Sequence, residues 1–160
     1  MDLSRHITVF NPASVKNDIH IIGVGATGSF VAMELARMGC PVINIYDFDD
    51  VEQHNIPNQY YDVNDIGKDK VVALEAKLKL INPDITVNIS TEKVTAEDMS
   101  KMSGYVFLLV DSMKVRKELW EAAKTNTNII NVWESRLGSD QARVYSLPIE
   151  KGKDYSKYEQ

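Results

Sequence analysis

Ile19-His20-Ile21-Ile22-Gly23-Val24-Gly25-Ala26-Thr27-Gly28 is the stretch on which the reading of this chain turns. Four residues suited to a buried strand run straight into three glycines spaced G-x-G-x-x-G. Beyond them, from Ser29 to Met38, the apolar Phe30, Val31, Leu35 and Met38 recur on one helical face until Gly39 supplies a stop. Glycine permits the tight turn and lets backbone come close to a phosphate. The helix start adds unpaired N–H groups and the positive end of a dipole. The glycine spacing alone is a weak signal, and a turn needed only for helix-on-sheet packing would produce it too. Its position between a strand and a helix predicts a nucleotide site at Gly23, Gly25 and Gly28.

The same alternation continues outward. Apolar or alternating runs predict strands over 42–46, 85–89, 105–110, 128–133 and 142–147. Helical periodicity falls on Val71, Leu74, Leu78 and Ile81, ended by Asn82-Pro83, and on Val115, Leu119, Ala122 and Ala123. A short helix or turn fits 94–102, and 49–66 is a polar stretch without clear period. The order predicts an α/β fold: a Rossmann-like, doubly wound, mainly parallel sheet with helices on both faces. Residues 1–148 form one nucleotide-binding domain, and the lysine-rich 149–160 reads as a polar tail.

Composition narrows the class. The 160 residues are 44% apolar and 26% charged, globular averages that argue against disorder. One cysteine excludes an internal disulfide framework and an all-cysteine zinc site within the chain. No run is long and apolar enough for a membrane span, and the N-terminus lacks a secretory pattern. The net charge is −5, without a lysine- or arginine-rich block, which disfavours nucleic acid as partner. The expectation is a soluble cytoplasmic protein.

Asp47 ends the second strand, 19 residues past Gly28, where a carboxylate accepts hydrogen bonds from ribose hydroxyls. To this point a dinucleotide dehydrogenase and an ATP-using enzyme remain level. The next residues separate them. Asp47-Phe48-Asp49-Asp50-Val51-Glu52-Gln53-His54-Asn55-Ile56-Pro57-Asn58-Gln59 resembles the D-x-D-x-V-E-x-x-N-x-x-R-Q segment of the E1-like adenylyltransferases, the family of ThiF, MoeB and the adenylation domains of ubiquitin-activating enzymes. Asp65-Ile66-Gly67-Lys68-Asp69-Lys70-Val71 resembles its D-I-G-x-x-K-V, and Ile81-Asn82-Pro83 its I-N-P. Asp111 to Arg116 is similar to its D-x-x-x-x-R, and Arg5-His6-Ile7 to its opening R-Q-I.

The resemblance implies an ATP- and Mg²⁺-dependent adenylyltransferase acting on the C-terminal carboxylate of a small ubiquitin-like or sulfur-carrier protein that ends in glycine. It implies that Gly23, Gly25 and Gly28 cradle ATP, that Asp47 holds its ribose, and that Asn55 and Lys70 contact its phosphates. Asp49, Asn58 and Gln59 complete that wall. Asp111 is the implied Mg²⁺ ligand, and Lys70, Asp111 and Arg5 the implied catalytic set, with Arg5 reaching across a homodimer to the partner subunit's ATP. Asn58 stands where the family usually has arginine, so one phosphate-binding charge is lost. Members also commonly continue well beyond this length. Both departures leave a non-catalytic, nucleotide- or partner-binding E1-like module as the alternative. A Rossmann NAD(P)-binding protein is the third reading, disfavoured because little chain follows the last strand.

The remaining singled-out residues have plainer readings. Cys40 fits packing rather than nucleophilic chemistry. His6, His20 and His54 do not form metal-ligand spacing; His20 is structural, and His54 lies in the proposed ATP loop. Trp120 and Trp133 read as core and interface bulk. Lys114, Arg116 and Lys117 read as a solvated face of the third helix.

Overall fold

The protein's structure, a computed structural model, describes residues 2–159. Six strands form one sheet: β1 (Ile19–Ile22), β2 (Val42–Tyr46), β3 (Thr86–Ser90), β4 (Gly104–Leu108), β5 (Ile129–Leu137) and β6 (Ala142–Pro148). Their spatial order is β3-β2-β1-β4-β5-β6. β1 to β5 run parallel, and β6 returns antiparallel on β5 through a turn closed by Gly138 N–H on the Gln141 carbonyl (2.8 Å). The helices are α1 (Gly28–Arg37), α2 (Lys70–Ile81), α3 (Ala96–Lys101), α4 (Met113–Ala123) and α5 (Ser156–Glu159). The expected Rossmann-like, mainly parallel sheet with helices on both faces is what the chain builds.

Alternation along the strands explains the two layers. Ile21, Ile43 and Ile45 point to the side on which Ala32 of α1 and Leu74 and Leu78 of α2 close the core. Ile22, Val106, Leu108 and Val132 point to the other, under Met99, Leu119 and Trp120 of α3 and α4. Strand order reverses between β1 and β4. Their connections leave in opposite directions and open a crevice at the carboxyl ends of the strands, the usual ligand position in such sheets.

Two local readings are revised. β5 continues through Glu134-Ser135-Arg136 to Leu137, although those polar residues suggest an end at Trp133. Their side chains find partners inside the fold, so polarity does not end the strand. Residues 149–159 are polar in composition but packed: Ile149 and Tyr158 are buried, Tyr155 Oη donates to the Pro148 carbonyl (2.9 Å), and Trp120 Nε1 donates to Glu159 (3.0 Å).

Candidate functional site

The glycine loop is held in place by the side chains around it. Gly23 turns at φ 88°, a conformation that favours glycine, and its face meets the backbone of Leu109 and Val110 on the neighbouring strand end. A Cβ on Gly28 would stand 1.9 Å from the Gly23 carbonyl oxygen, so the third glycine allows α1 to start against the turn. Gly25 differs: the nearest atom to a Cβ there is Gln59 Nε2 at 3.9 Å, so the space in front of it is open. No side chain caps α1 and its first turn holds no acid, whereas Ser112 caps α4 and Thr95 caps α3. Among the described residues the helix start behind the glycines is thus uncapped by a side chain, as is that of α2.

Asp47 fastens this loop. Its Oδ2 accepts from Val24 N–H (2.8 Å) and its Oδ1 from Asp49 N–H (3.0 Å). An ionised carboxylate has further lone pairs to offer, so a sugar hydroxyl remains within its capacity. Burial pushes its carboxyl above the ordinary range, against the pull of the two N–H groups and of Lys70. From below, Tyr61 Oη donates to the Val24 carbonyl (2.8 Å), and Ser29 Oγ bridges the Gly25 carbonyl and Tyr60 N–H.

A cavity of about 860 Å³ opens in front of the loop, across the carboxyl ends of β1, β2 and β4. Gly23, Gly25, Asp47, Asp49, Gln59, Lys70 and Asp111 line it together, from four separate segments of sequence. Lys70, the first residue of α2, is buried and pairs with Asp49 at 2.9 Å. Gln59 Oε1 is buried without a hydrogen-bond partner among the described residues. Asp111 is exposed at the cavity edge and leaves the cap of α4 to Ser112, whose Oγ accepts from Val115 N–H. Among the described residues no cluster of three or more His, Cys, Asp or Glu is poised for a metal.

Four expected site residues lie off this wall. Gly28 is behind it, as the packing contact above requires. Asn55 is buried and accepts from Glu52 N–H (2.8 Å), closing the short helical turn Gln53–Asn55. Asn58 is exposed and does not line the cavity. Arg5 lies in an exposed turn whose neighbour Leu3 packs over Gly39, at the far end of α1 from the glycine loop. Ten helical residues separate the two ends, roughly 15 Å. His54 is likewise exposed, beside Glu52.

The structure adds residues that sequence reasoning missed. Arg116 is not on a solvated face. It is 6% exposed, with Nη1 on the Ser135 carbonyl (2.6 Å), Nη2 on the Val110 carbonyl and a salt bridge to buried Glu134 (3.0 Å). Arg136 also pairs with Glu134, through Nε at 2.5 Å. Ser135 Oγ lies 3.4 Å from Thr27 Oγ1, joining the end of β5 to the start of α1. Both arginines line the cavity with Ser135. Only Arg116 carried a sequence signal, its place in the D-x-x-x-x-R pattern.

The fold and the cavity have counterparts among known proteins. A family model described as "ThiF family" matches residues 13–139. The tRNA threonylcarbamoyladenosine dehydratase of Haemophilus influenzae is 31% identical over 139 residues, covering 83% of this chain and 53% of that protein. Ubiquitin-like modifier-activating enzyme 5 of Bombyx mori is 34% identical over 99 residues, 61% of this chain and 25% of that protein. The crystal structure of the E. coli dehydratase TcdA with AMP matches with a TM-score of 0.71 at 25% identity, over 79% of this chain and 54% of that one. E. coli MccB with ATP matches in fold, with a TM-score of 0.76 at 21% identity, over 85% and 41%. The chain spans at most about half the length of these relatives. With one family model covering most of its residues and the glycine loop, Asp47 and Lys70 gathered on one cavity, the chain belongs to the ThiF family, the E1-like group.

Proposed function

We propose that the chain binds ATP and catalyses adenylation of a carboxylate, the C-terminal one of a small ubiquitin-like or sulfur-carrier protein. The observation that carries this reading is the convergence of Gly23, Gly25, Asp47, Lys70 and Asp111 on one cavity at the strand ends. The AMP and ATP complexes of TcdA support the nucleotide, and ubiquitin-like modifier-activating enzyme 5 supports the protein substrate.

The chemistry asks little of the protein beyond position and charge. A C-terminal carboxylate has a pKa near about 3.5 and is already a nucleophile at neutral pH, so no general base is needed. The glycine-loop N–H groups and the uncapped start of α1 would orient phosphate, and Asp47 the ribose. Lys70 would bring a buried positive charge whose direction is fixed by Asp49. Asp111 would hold Mg²⁺, which when bound withdraws charge from the phosphates. Arg5, far from its own cavity, would act on the partner subunit's site in a homodimer.

One observation favours a second substrate. The dehydratase, matched over most of this chain, is named for a modified tRNA nucleoside whose threonyl group bears a carboxylate. The acidic balance of this chain weighs against tRNA. The non-catalytic module rests on Asn58. Calorimetric titration with ATP and Mg²⁺, beside NAD, tests the nucleotide: ATP binding without NAD binding is expected, and the reverse overturns the reading. Exchange of labelled pyrophosphate into ATP, stimulated by a Gly-Gly-ending carrier protein and not by tRNA, tests the substrate. No exchange with any carboxylate leaves the binding module.

A further inference from the structure

We propose that Arg136 supplies the cavity with positive charge for a polyphosphate, binding the terminal phosphates of the nucleotide. This rests on the nucleotide reading above.

The argument begins with charge. Acidic side chains on the cavity wall outnumber basic ones, five to four, so the wall as a whole does not attract a polyphosphate. Three of the four basic groups are committed or loosely held. Lys70 is paired with Asp49 at 2.9 Å. Lys93 is exposed and lies 4.4 Å over the Phe48 ring. Arg116 spends both Nη groups on the Ser135 and Val110 carbonyls.

Arg136 is built differently. Its guanidinium carbon sits 4.9 Å from the ring centroids of both Tyr145 and Tyr158, which fix its plane. Its ion pair to Glu134 runs through Nε, and among the described residues its other side-chain hydrogen-bond partner is the Tyr158 hydroxyl, not a second carboxylate. The Nη edge is the part of a guanidinium that grips phosphate in bidentate fashion. Glu134 in turn is a single buried carboxylate shared by two arginines, so one positive charge in the cluster is uncompensated. The side chain of Arg136 is 28% exposed at the cavity, so this excess charge is open to an anion from solvent. A second sign points the same way: Arg116 is more than nine-tenths buried, yet its Nε has no hydrogen-bond partner among the described residues. The cluster has donors in excess of acceptors, and it borders the cavity.

Tyr158 is the positioning residue. Its Oη donates to Glu134 Oε2, and its ring forms one wall of the guanidinium slot. The slot is therefore assembled from β5, β6 and the packed C-terminal segment.

Titration calorimetry on the full chain and on Arg136→Gln, with ATP, adenosine and inorganic pyrophosphate as probes, tests the assignment. Glu134 keeps Arg116 and Tyr158 in this variant, so the fold is expected to stand; Arg136→Lys, which keeps the ion pair, serves if it does not. The expected result is a loss of about tenfold or more in affinity for ATP and pyrophosphate, with adenosine unchanged. For Arg136→Lys the loss is smaller, because charge survives without the planar fork. Equal weakening of ATP and adenosine, or no change in either, overturns the proposal. Pyrophosphate binding that depends on Arg136 in a protein indifferent to adenosine would sink the nucleotide reading and keep the anion site. ATP binding that ignores Arg136 does the opposite, and no binding of any probe by the full chain rejects both.

Discussion

Asp47 shows how one side chain serves structure and ligand together. It ties the glycine loop through Val24 and keeps spare lone pairs for a hydroxyl, so Asp47→Ala should weaken ATP binding by about 1.5–3 kcal/mol. Unchanged affinity in a folded variant would remove it from the site. Because burial raises its carboxyl pKa in the fold, its contribution to stability is full below the unfolded value and fades as pH rises through the folded one. The melting-temperature gap between wild type and Asp47→Ala should therefore narrow from about pH 3 to pH 7. A gap that widens would contradict the assigned direction. The glycines separate by role. Gly28→Ala drives a methyl into the Gly23 carbonyl and should cost more than the roughly 1–3 kcal/mol typical of overpacking. Gly25→Ala finds room, so its melting curve should hardly move while ATP affinity falls. Equal losses of stability would refute that division. The glycine spacing made the site legible, but not this division of labour, which depends on the Gly23 carbonyl folding back over the helix start.

At the level of elements, what was legible depended on where polar groups found their partners. β1, β2 and the two long helices are apolar where they pack, so periodicity locates them within a residue or two. The end of β5 and the final segment are different. Glu134, Ser135 and Arg136 look like the start of a loop, and 149–159 like a solvated tail, because their partners are each other. Glu134 pairs with Arg116 from α4 and Tyr158 from α5, and no local pattern announces a contact between segments so far apart in sequence. Arg116 was misplaced for the same reason. The bond from Tyr158 to a buried carboxylate gives this docking its energy, so Tyr158→Phe should lower unfolding stability by about 1–3 kcal/mol in urea. Burial, and then Glu134, raise the Tyr158 phenol pKa in the fold, so its contribution is present at neutral pH and lost as pH climbs above about 10. Wild type and Tyr158→Phe should thus converge in stability in alkali. A constant difference across that range would show that the hydroxyl does not carry the docking.

The whole molecule raises the matter of Arg5, which lies roughly 15 Å of helix away from its own cavity. If it serves a nucleotide, that nucleotide belongs to another copy. The sheet offers a surface for such a copy. Beside α1, the face of β4 to β6 carries no helix, and Phe107, Trp133 and Tyr105 stack there half-buried, while Val144 is 76% exposed. A symmetric homodimer would cover an apolar shelf of this kind twice and could complete both sites, as isologous contact requires. Sedimentation at micromolar concentration should show the dimer. Charge sharing needs a sharper measurement: mixing Arg5→Ala with Asp111→Asn subunits. Each variant alone should be inactive in pyrophosphate exchange, the first for lack of the partner's arginine and the second for lack of its metal ligand. In the mixed dimer one site joins an intact Asp111 to an intact Arg5 from the other chain, so activity should return to about a quarter of wild type, half the dimers being mixed and each having one complete site. Arg5→Ala should also leave the melting temperature nearly unchanged, because the side chain is exposed in its own subunit. A monomer at every concentration, or exchange of subunits without recovery, would leave Arg5 as an ordinary surface residue and place the whole burden of phosphate charge on Lys70 and Arg136.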